Sequence, residues 1–224
     1  MKGRSFCPSC KEQIRWFDNI PFFSFLFLKG KCRRCNIKIS IQYFIVELIS
    51  ALSFLFIFYI YGISITTLLL IILSIFFIII FFIDLKHYII PNELTFPLMF
   101  IGFVKSFDPN LNQSLFPNYI NSLIGGLFGY AIIWLIIFFY KTLRNKEGMG
   151  LGDAKLIAVV GFWFGWFSIP FTIFISSVVA LVYSIPSLMN KSRDLSTQIP
   201  FGPFIIIGSL IYVMFANQIK NLFL

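Results

Sequence analysis

The sequence predicts an all-α polytopic membrane protein with about seven transmembrane helices and a small N-terminal cytosolic domain of zinc-ribbon type. Three observations predict it. The 224 residues are 58% hydrophobic and only 12% charged, about half the charge of a soluble domain, and the mean hydropathy is +0.89. Uncharged runs of spanning length recur along the chain. All four cysteines fall within residues 1–40, which begin polar and basic and, with no early apolar run, are not expected to be a signal peptide. The predicted division is 1–40 as a four-cysteine metal-binding domain and 41–224 as the membrane domain.

The spans follow in order. Residues 42–61 carry one acid, Glu47, near their start, and 63–83 carry no charge. Residues 94–107 form a shorter, weaker span that contains Lys105, and 119–140 are uncharged. The uncharged run 156–190 exceeds the ~20 residues one span needs, so a break is predicted near Ser168, Ile169 and Pro170. Residues 201–219 complete the set. With seven spans and the N-terminus inside, segments 1–40, 84–93, 141–155 and 190–200 lie in the cytosol. They hold nine, one, four and two Lys/Arg, sixteen of the eighteen, and only Lys105 and Lys220 fall near the outside. This positive-inside bias explains the net charge of +9 as topology plus attraction to anionic lipid, not nucleic-acid binding.

The cysteines read Cys7-Pro-Ser-Cys10 and Cys32-Arg-Arg-Cys35, two C-x2-C knuckles 21 residues apart. Two such knuckles bring four thiolates into a tetrahedron suited to structural Zn2+. Two disulfides are the competing reading, disfavoured in a reducing cytosol.

Acids are scarce, nine in all. Asp84 ends the uncharged run 63–83, and Asp153 opens the run that returns outward. The topology puts both carboxylates at similar depth on the cytosolic side. Two carboxylates sharing a site suit an aspartyl protease, in which one is held protonated while the other takes a proton from water. The plainer alternatives are helix capping, interfacial hydration, or pairing with Lys86 and Lys155. Gly148, Gly150 and Gly152 before Asp153 permit positive φ and close backbone approach, and equally a simple loop or tight helix packing.

Four ordered segments then carry a resemblance. "KEGMGLGDAKL", "FFIDLKHYIIPNELTFP", "CPSCKEQIRWFDNIPFFSFLFLKGKCRRC" and "IPFGPF" at 199–204 resemble the bacterial type IV prepilin peptidases, the GxGD-type membrane aspartyl proteases that are also N-methyltransferases. The resemblance implies cleavage of the basic leader from type IV prepilins or type II secretion pseudopilins at the cytosolic face of the inner membrane. It maps Asp84 and Asp153 onto the two catalytic aspartates, and Cys7, Cys10, Cys32 and Cys35 onto the metal ligands of methylating members. It also implies S-adenosyl-L-methionine as methyl donor.

Supporting roles are readable for Gly150, Gly152, Lys155 and Glu147 around Asp153. Glu47 could hold a substrate amine or simply face headgroups. His87, the one histidine, could be a base but reads better as an interfacial ring. "IPFGPF" could guide substrate, or its prolines could just bound the last helix. The family usually carries a hydrophobic helix before the cysteine domain, whereas here "MKGRSFCPSC" begins almost at the first cysteine. This leaves either a lineage without that helix or a start codon placed too late. The alternative function is a non-enzymatic scaffold or small transporter with a ribbon docking module. The lack of a repeat and the edge position of both acids speak against transport. A methyltransferase acting alone would tolerate loss of either aspartate. The substrates and membrane lipid are the expected partners, and the sequence sets no oligomeric state.

Overall fold

The structure, a computed structural model, describes residues 6–7, 9–20, 23–111, 115–144, 148–189 and 199–223. Two compact units divide the chain, Met1–Ile78 and Ile79–Leu224. The described elements are helical apart from two isolated β-bridges.

In the first unit a 3-10 turn at Trp16–Asn19 and the short α1 (Phe23–Phe27) lie between the cysteine knuckles. Helix α2 (Ile41–Tyr61) starts at Ser40, whose side chain accepts from the Gln42 N–H, and stops at Gly62, where φ is +58°. That stop suits glycine, which has no Cβ to resist the left-handed region. Helix α3 (Ile65–His87) follows after one turn; Ser64 Oγ accepts from the Thr67 N–H at 3.1 Å.

The second unit contains the end of α3, then α4 (Asn92–Val104), α5 (Tyr119–Arg144), α6 (Leu151–Phe164), α7 (Ser168–Met189) and α8 (Gly202–Phe223). Each of the seven apolar runs read from the sequence forms one helix. Four, Ile41–Tyr61, Ile65–His87, Tyr119–Arg144 and Ser168–Ile185, are long and apolar enough to cross a membrane. Helices α4 and α6, at 13 and 14 residues, are only about 20 Å long and fall short of a hydrocarbon core of about 30 Å. The predicted break in 156–190 falls slightly earlier than expected. Gly165 ends α6 at φ +84°, and Pro170 lies in the first turn of α7, where its missing N–H costs nothing.

Helix α6 is the centre of the second unit, packing on α4, α5, α7 and α8. Beyond Lys155 it is apolar all round, as a buried helix must be. Its tightest neighbour is α5, and glycine makes that possible. A Cβ on Gly125 would sit 2.6 Å from the Gly161 carbonyl oxygen, and one on Gly129 would sit 3.0 Å from that of Ile157. Ser122, on the same face, donates to the Phe162 carbonyl at 2.7 Å. The pairings run in opposite order along the chain, so α5 and α6 are antiparallel with their backbones in contact, as small residues allow between helices in lipid.

Helix α4 runs parallel to α6. Lys155 Nζ donates to Asn92 Oδ1 at 2.6 Å near the two helix starts. Near the other ends Trp163 Nε1 donates to the Leu98 carbonyl at 2.8 Å, and Lys105 Nζ to the Trp163 carbonyl at 3.0 Å. Lys105 was expected at the outer edge as a topological charge. It is instead buried, 3.8 Å above the Phe116 ring centroid. The carbonyl it caps is among those that α6 leaves without an intrahelical partner where it ends.

Candidate functional site

One end of the second unit gathers the segments that the sequence singles out. Asp84 lies in the last turn of α3, Asn92 opens α4, Asp153 is in the first turn of α6 and Gly202 opens α8. Both aspartates are buried, at 4% and 8% exposure, and Ile90 lies against both Gly152, the residue before Asp153, and Gly202, whose N–H bonds Asp84.

Each carboxylate has a backbone partner. Asp84 Oδ2 accepts from the Gly202 N–H at 3.0 Å, at the N-terminus of α8. Asp153 is the third residue of α6, and its Oδ2 accepts from the Gly150 N–H at 3.2 Å. So Asp153 does cap its helix, as the plainer reading had it, while also lying beside a second acid. Two helix N-termini therefore bear on the pair. Their partial positive charge offsets part of the cost of burying two like-charged groups.

None of Gly148, Gly150 and Gly152 has a positive φ, and Gly150 is extended at −83°; of the uses open to them, close packing is the one seen, at Gly148 and Gly152, while a Cβ on Gly150 would meet only ordinary contacts at 3.7 Å and beyond. A Cβ on Gly152 would lie 3.0 Å from Ile90 Cβ, and one on Gly148 would lie 2.7 Å from the Tyr140 ring. Gly202 is tighter still: a Cβ there would lie 2.7 Å from Asp84 Oδ2 and 3.1 Å from Ile90 Cδ1. Ile90 thus touches the starts of both α6 and α8. Neither Ile90 nor Gly202 was singled out from the sequence. Only the "IPFGPF" segment around Gly202 was, and its prolines drew attention from the glycine whose N–H makes the bond.

The other expected residues are placed as follows. Lys155 bonds Asn92 and lies 5.6 Å over the Phe96 ring. His87 and Lys86 are exposed at the end of α3. Glu47 is exposed on α2 in the first unit. Glu147 lies outside the described residues.

The cysteine head forms a second candidate site. The two knuckles share one local geometry. Cys7 donates its N–H to the Glu12 carbonyl and Cys32 donates to that of Ile37, each at 2.9 Å. Lys11 and Asn36, each just after a knuckle's second cysteine, have φ +55°. Single bridges, Phe6 with Gln13 and Lys31 with Lys38, flank the two turns. Arg34 pairs with Glu12 across the knuckles, and Arg33 grips Asp18 through Nε at 2.9 Å and Nη2 at 2.6 Å.

All four sulfurs lie within 4.8 Å of one another, and the cysteines are free thiols. Cys7 Sγ and Cys35 Sγ are 3.8 Å apart, far beyond the ~2.05 Å of a disulfide. Four sulfurs bound at about 2.3 Å to one tetrahedral ion would lie about 3.8 Å apart. The backbone N–H groups of Cys35 and Arg34 pull the Cys32 thiol down to about 6, and those of Cys10 and Ser9 lower Cys7; against a backbone hydrogen bond from Ile37, burial and the three neighbouring thiols push Cys35 up to about 11. Thiolate is the form that binds metal, so the donor set fits a metal ion.

Fold and site together define a multi-pass helical membrane protein with a buried acid pair at its helix ends and a head whose four clustered sulfurs suit a metal ion. Residues 71–185 match the Type IV leader peptidase family, and residues 1–61 match the Bacterial Peptidase A24 N-terminal domain. The chain belongs to the Type IV leader peptidase family. Similar proteins are the prepilin leader peptidase/N-methyltransferases of Aeromonas salmonicida, Pseudomonas aeruginosa and Neisseria gonorrhoeae. The first is 34% identical over 231 residues, covering 100% of this chain and 75% of the relative. The second is 34% identical over 220 residues, covering 98% and 74%. The third is 38% identical over 211 residues, covering 94% and 71%. No solved structure matches the chain.

Proposed function

We propose that this membrane enzyme cleaves the basic leader from type IV prepilins or type II secretion pseudopilins, and then methylates the new N-terminus. Residues 41–224 serve as the peptidase domain, and residues 1–40 as the metal-binding domain, with the head and the acid pair on the cytosolic side of the bacterial inner membrane. One observation carries the cleavage reading. Asp84 and Asp153, 69 positions apart in sequence, lie at the same end of the second unit, buried and each bonded to a glycine N–H.

The two aspartates act as one titrating pair, so separate resting roles are not assigned. The ionised member takes a proton from water, and the water oxygen attacks the scissile carbonyl carbon. The protonated member gives its proton to the carbonyl oxygen. The resulting gem-diol collapses as the C–N bond breaks and the leaving amine takes up a proton. Gly202 keeps side-chain bulk from Asp84, Gly152 leaves room for Ile90, and the N–H groups of Gly150 and Gly202 fix the carboxylates. Lys155 supports the site through Asn92, by holding the starts of α4 and α6 together.

Cys7, Cys10, Cys32 and Cys35 would hold one structural Zn2+, whose binding energy would fold the head and leave no open position for catalysis. The relatives' name supports methyl transfer, for which S-adenosyl-L-methionine is the donor; no residue is assigned to that step. A leader rich in positive charge would stay at the cytosolic face, while the apolar segment behind the cut lies in lipid.

The deciding measurement is cleavage of a model prepilin in membranes by wild type, Asp84→Asn and Asp153→Asn. Both variants are expected to lose about 10²–10⁴-fold in rate at normal membrane levels, while methylation of a pre-cleaved pilin persists. Full cutting by either variant overturns the aspartyl mechanism.

A further inference from the structure

The cysteine head has an apolar surface that its own fold leaves uncovered. Trp16 is 80% exposed and Phe27 84%, with Leu26 and Ile20 at 53% and 40% in the same short stretch between the knuckles. Scattered single apolar residues are normal on a surface, but a group of this kind marks an interaction site. Arg15, Lys29 and Lys31 border it and are exposed as well. The acid within the stretch, Asp18, does not oppose them. Its side chain is 8% exposed and is held by both Nε and Nη2 of Arg33. The stretch 15–31 therefore carries exposed apolar side chains together with exposed cations.

A second observation shows what this surface adjoins. Phe25, within α1, stacks on Phe44 of α2 with ring centroids 5.2 Å apart and planes at 30°. Phe44 lies in the first turn of α2, a helix long and apolar enough to cross a membrane and with no buried residue of its own. The stack holds α1 beside the first turn of α2. With α2 spanning a bilayer, Leu26 and Phe27, the next two residues, would lie at the level of the headgroups.

We propose that Trp16, Ile20, Leu26 and Phe27 form an interfacial anchor that seats the cysteine head on anionic lipid. The aromatic and aliphatic side chains enter the boundary between headgroups and acyl chains, where an amphipathic indole is stable. Arg15, Lys29 and Lys31 meet lipid phosphates, and each cation near an anionic surface adds to the attraction. Apolar burial and charge act together, the pair of signals that stable interfacial binding requires. The anchor does not depend on the peptidase reading.

The test uses the full chain in liposomes of phosphatidylglycerol and phosphatidylcholine, with lipids brominated at shallow acyl positions. The chain has four tryptophans, so the difference between wild type and Trp16→Phe isolates Trp16. Its emission is expected to be blue-shifted, quenched by brominated lipid and shielded from aqueous acrylamide. Replacing phosphatidylglycerol by phosphatidylcholine should weaken the lipid quenching. The double variant Leu26→Glu, Phe27→Glu should open Trp16 to acrylamide while the metal content stays unchanged, which separates loss of the anchor from loss of the fold. Quenching by acrylamide alone in the wild type overturns the proposal, because the surface is then in water. Protection from both quenchers overturns it too, because protein then covers the surface. Equal lipid quenching in phosphatidylcholine alone removes the electrostatic half.

Discussion

The cysteine head and the helical unit around α6 hold themselves together in opposite ways. In the head the described backbone turns tightly around sulfur, and the large side chains Trp16 and Phe27 stay outside. In the helical unit α6 buries ten of its fourteen residues, and glycine brings neighbouring backbones into contact. A short chain segment cannot bury enough apolar surface to hold a fold, so a metal or another surface must supply the difference. A long apolar chain has no such shortage. Its difficulty is packing helices closely enough in lipid to fix a polar pair at their ends.

This contrast predicts opposite sensitivities, and the largest effect belongs to the helical unit. Gly161→Leu should force α5 and α6 apart, because the Gly125 backbone occupies the space. We expect a loss of about 4 kcal/mol or more, seen as loss of both membrane level and cleavage. Retention of normal stability would show that the α5–α6 contact is looser than described.

Next comes Gly202→Ala, which acts on geometry rather than on packing. Its Cβ would lie 2.7 Å from Asp84 Oδ2, displacing the carboxylate. A shift of that size costs about 10²-fold in rate, and thermal stability should change little. An equal loss in Gly208→Ala, a crowded position on the same helix against Ser176 and Thr172, would mean that α8 packing and not Asp84 is responsible.

The head should respond to metal instead. Chelation or Cys7→Ser should expose residues 1–40 to protease while the helical unit keeps its thermal transition. Zinc retention should also weaken with acid. Protons compete with the metal for the four sulfurs, so zinc release should set in as the pH falls, and zinc held equally tightly at every acid pH would count against a thiolate site.

The smallest effect is expected at Lys105→Met. The side chain keeps its length but the Trp163 carbonyl loses its donor, a cost of about 1–3 kcal/mol for an unpaired buried group. A lowered melting temperature with an unshifted pH profile for cleavage would confirm that Lys105 only pins the far end of α6.

Much of the site was legible from particular residues. Asp84 and Asp153 stand out because acids at the ends of apolar runs are rare, and the cysteine knuckles because their spacing suits one metal. Gly202 and Ile90 were not legible. A backbone N–H leaves no trace in composition, and an isoleucine among many apolar residues carries no signal. The use of Gly152 stayed open among several for a related reason: the sequence shows that a side chain is missing, but not whether φ or a neighbour, here Ile90, requires it. Lys155 likewise read as a partner for Asp153, whereas it binds Asn92, 63 residues earlier.

The sequence by itself determined the membrane class, the seven apolar helices, the paired cysteines and the two acids. These follow from partition between water and lipid and from local spacing, which sum along the chain and need no knowledge of contacts. Only the tertiary structure decided that α4 runs parallel to α6, that α5 touches α6 through bare backbone, and that the α8 N-terminus donates to Asp84. Those depend on which distant segments approach within about 3 Å. Hydrogen bonds and steric exclusion act only at that range, and chain order does not reveal it.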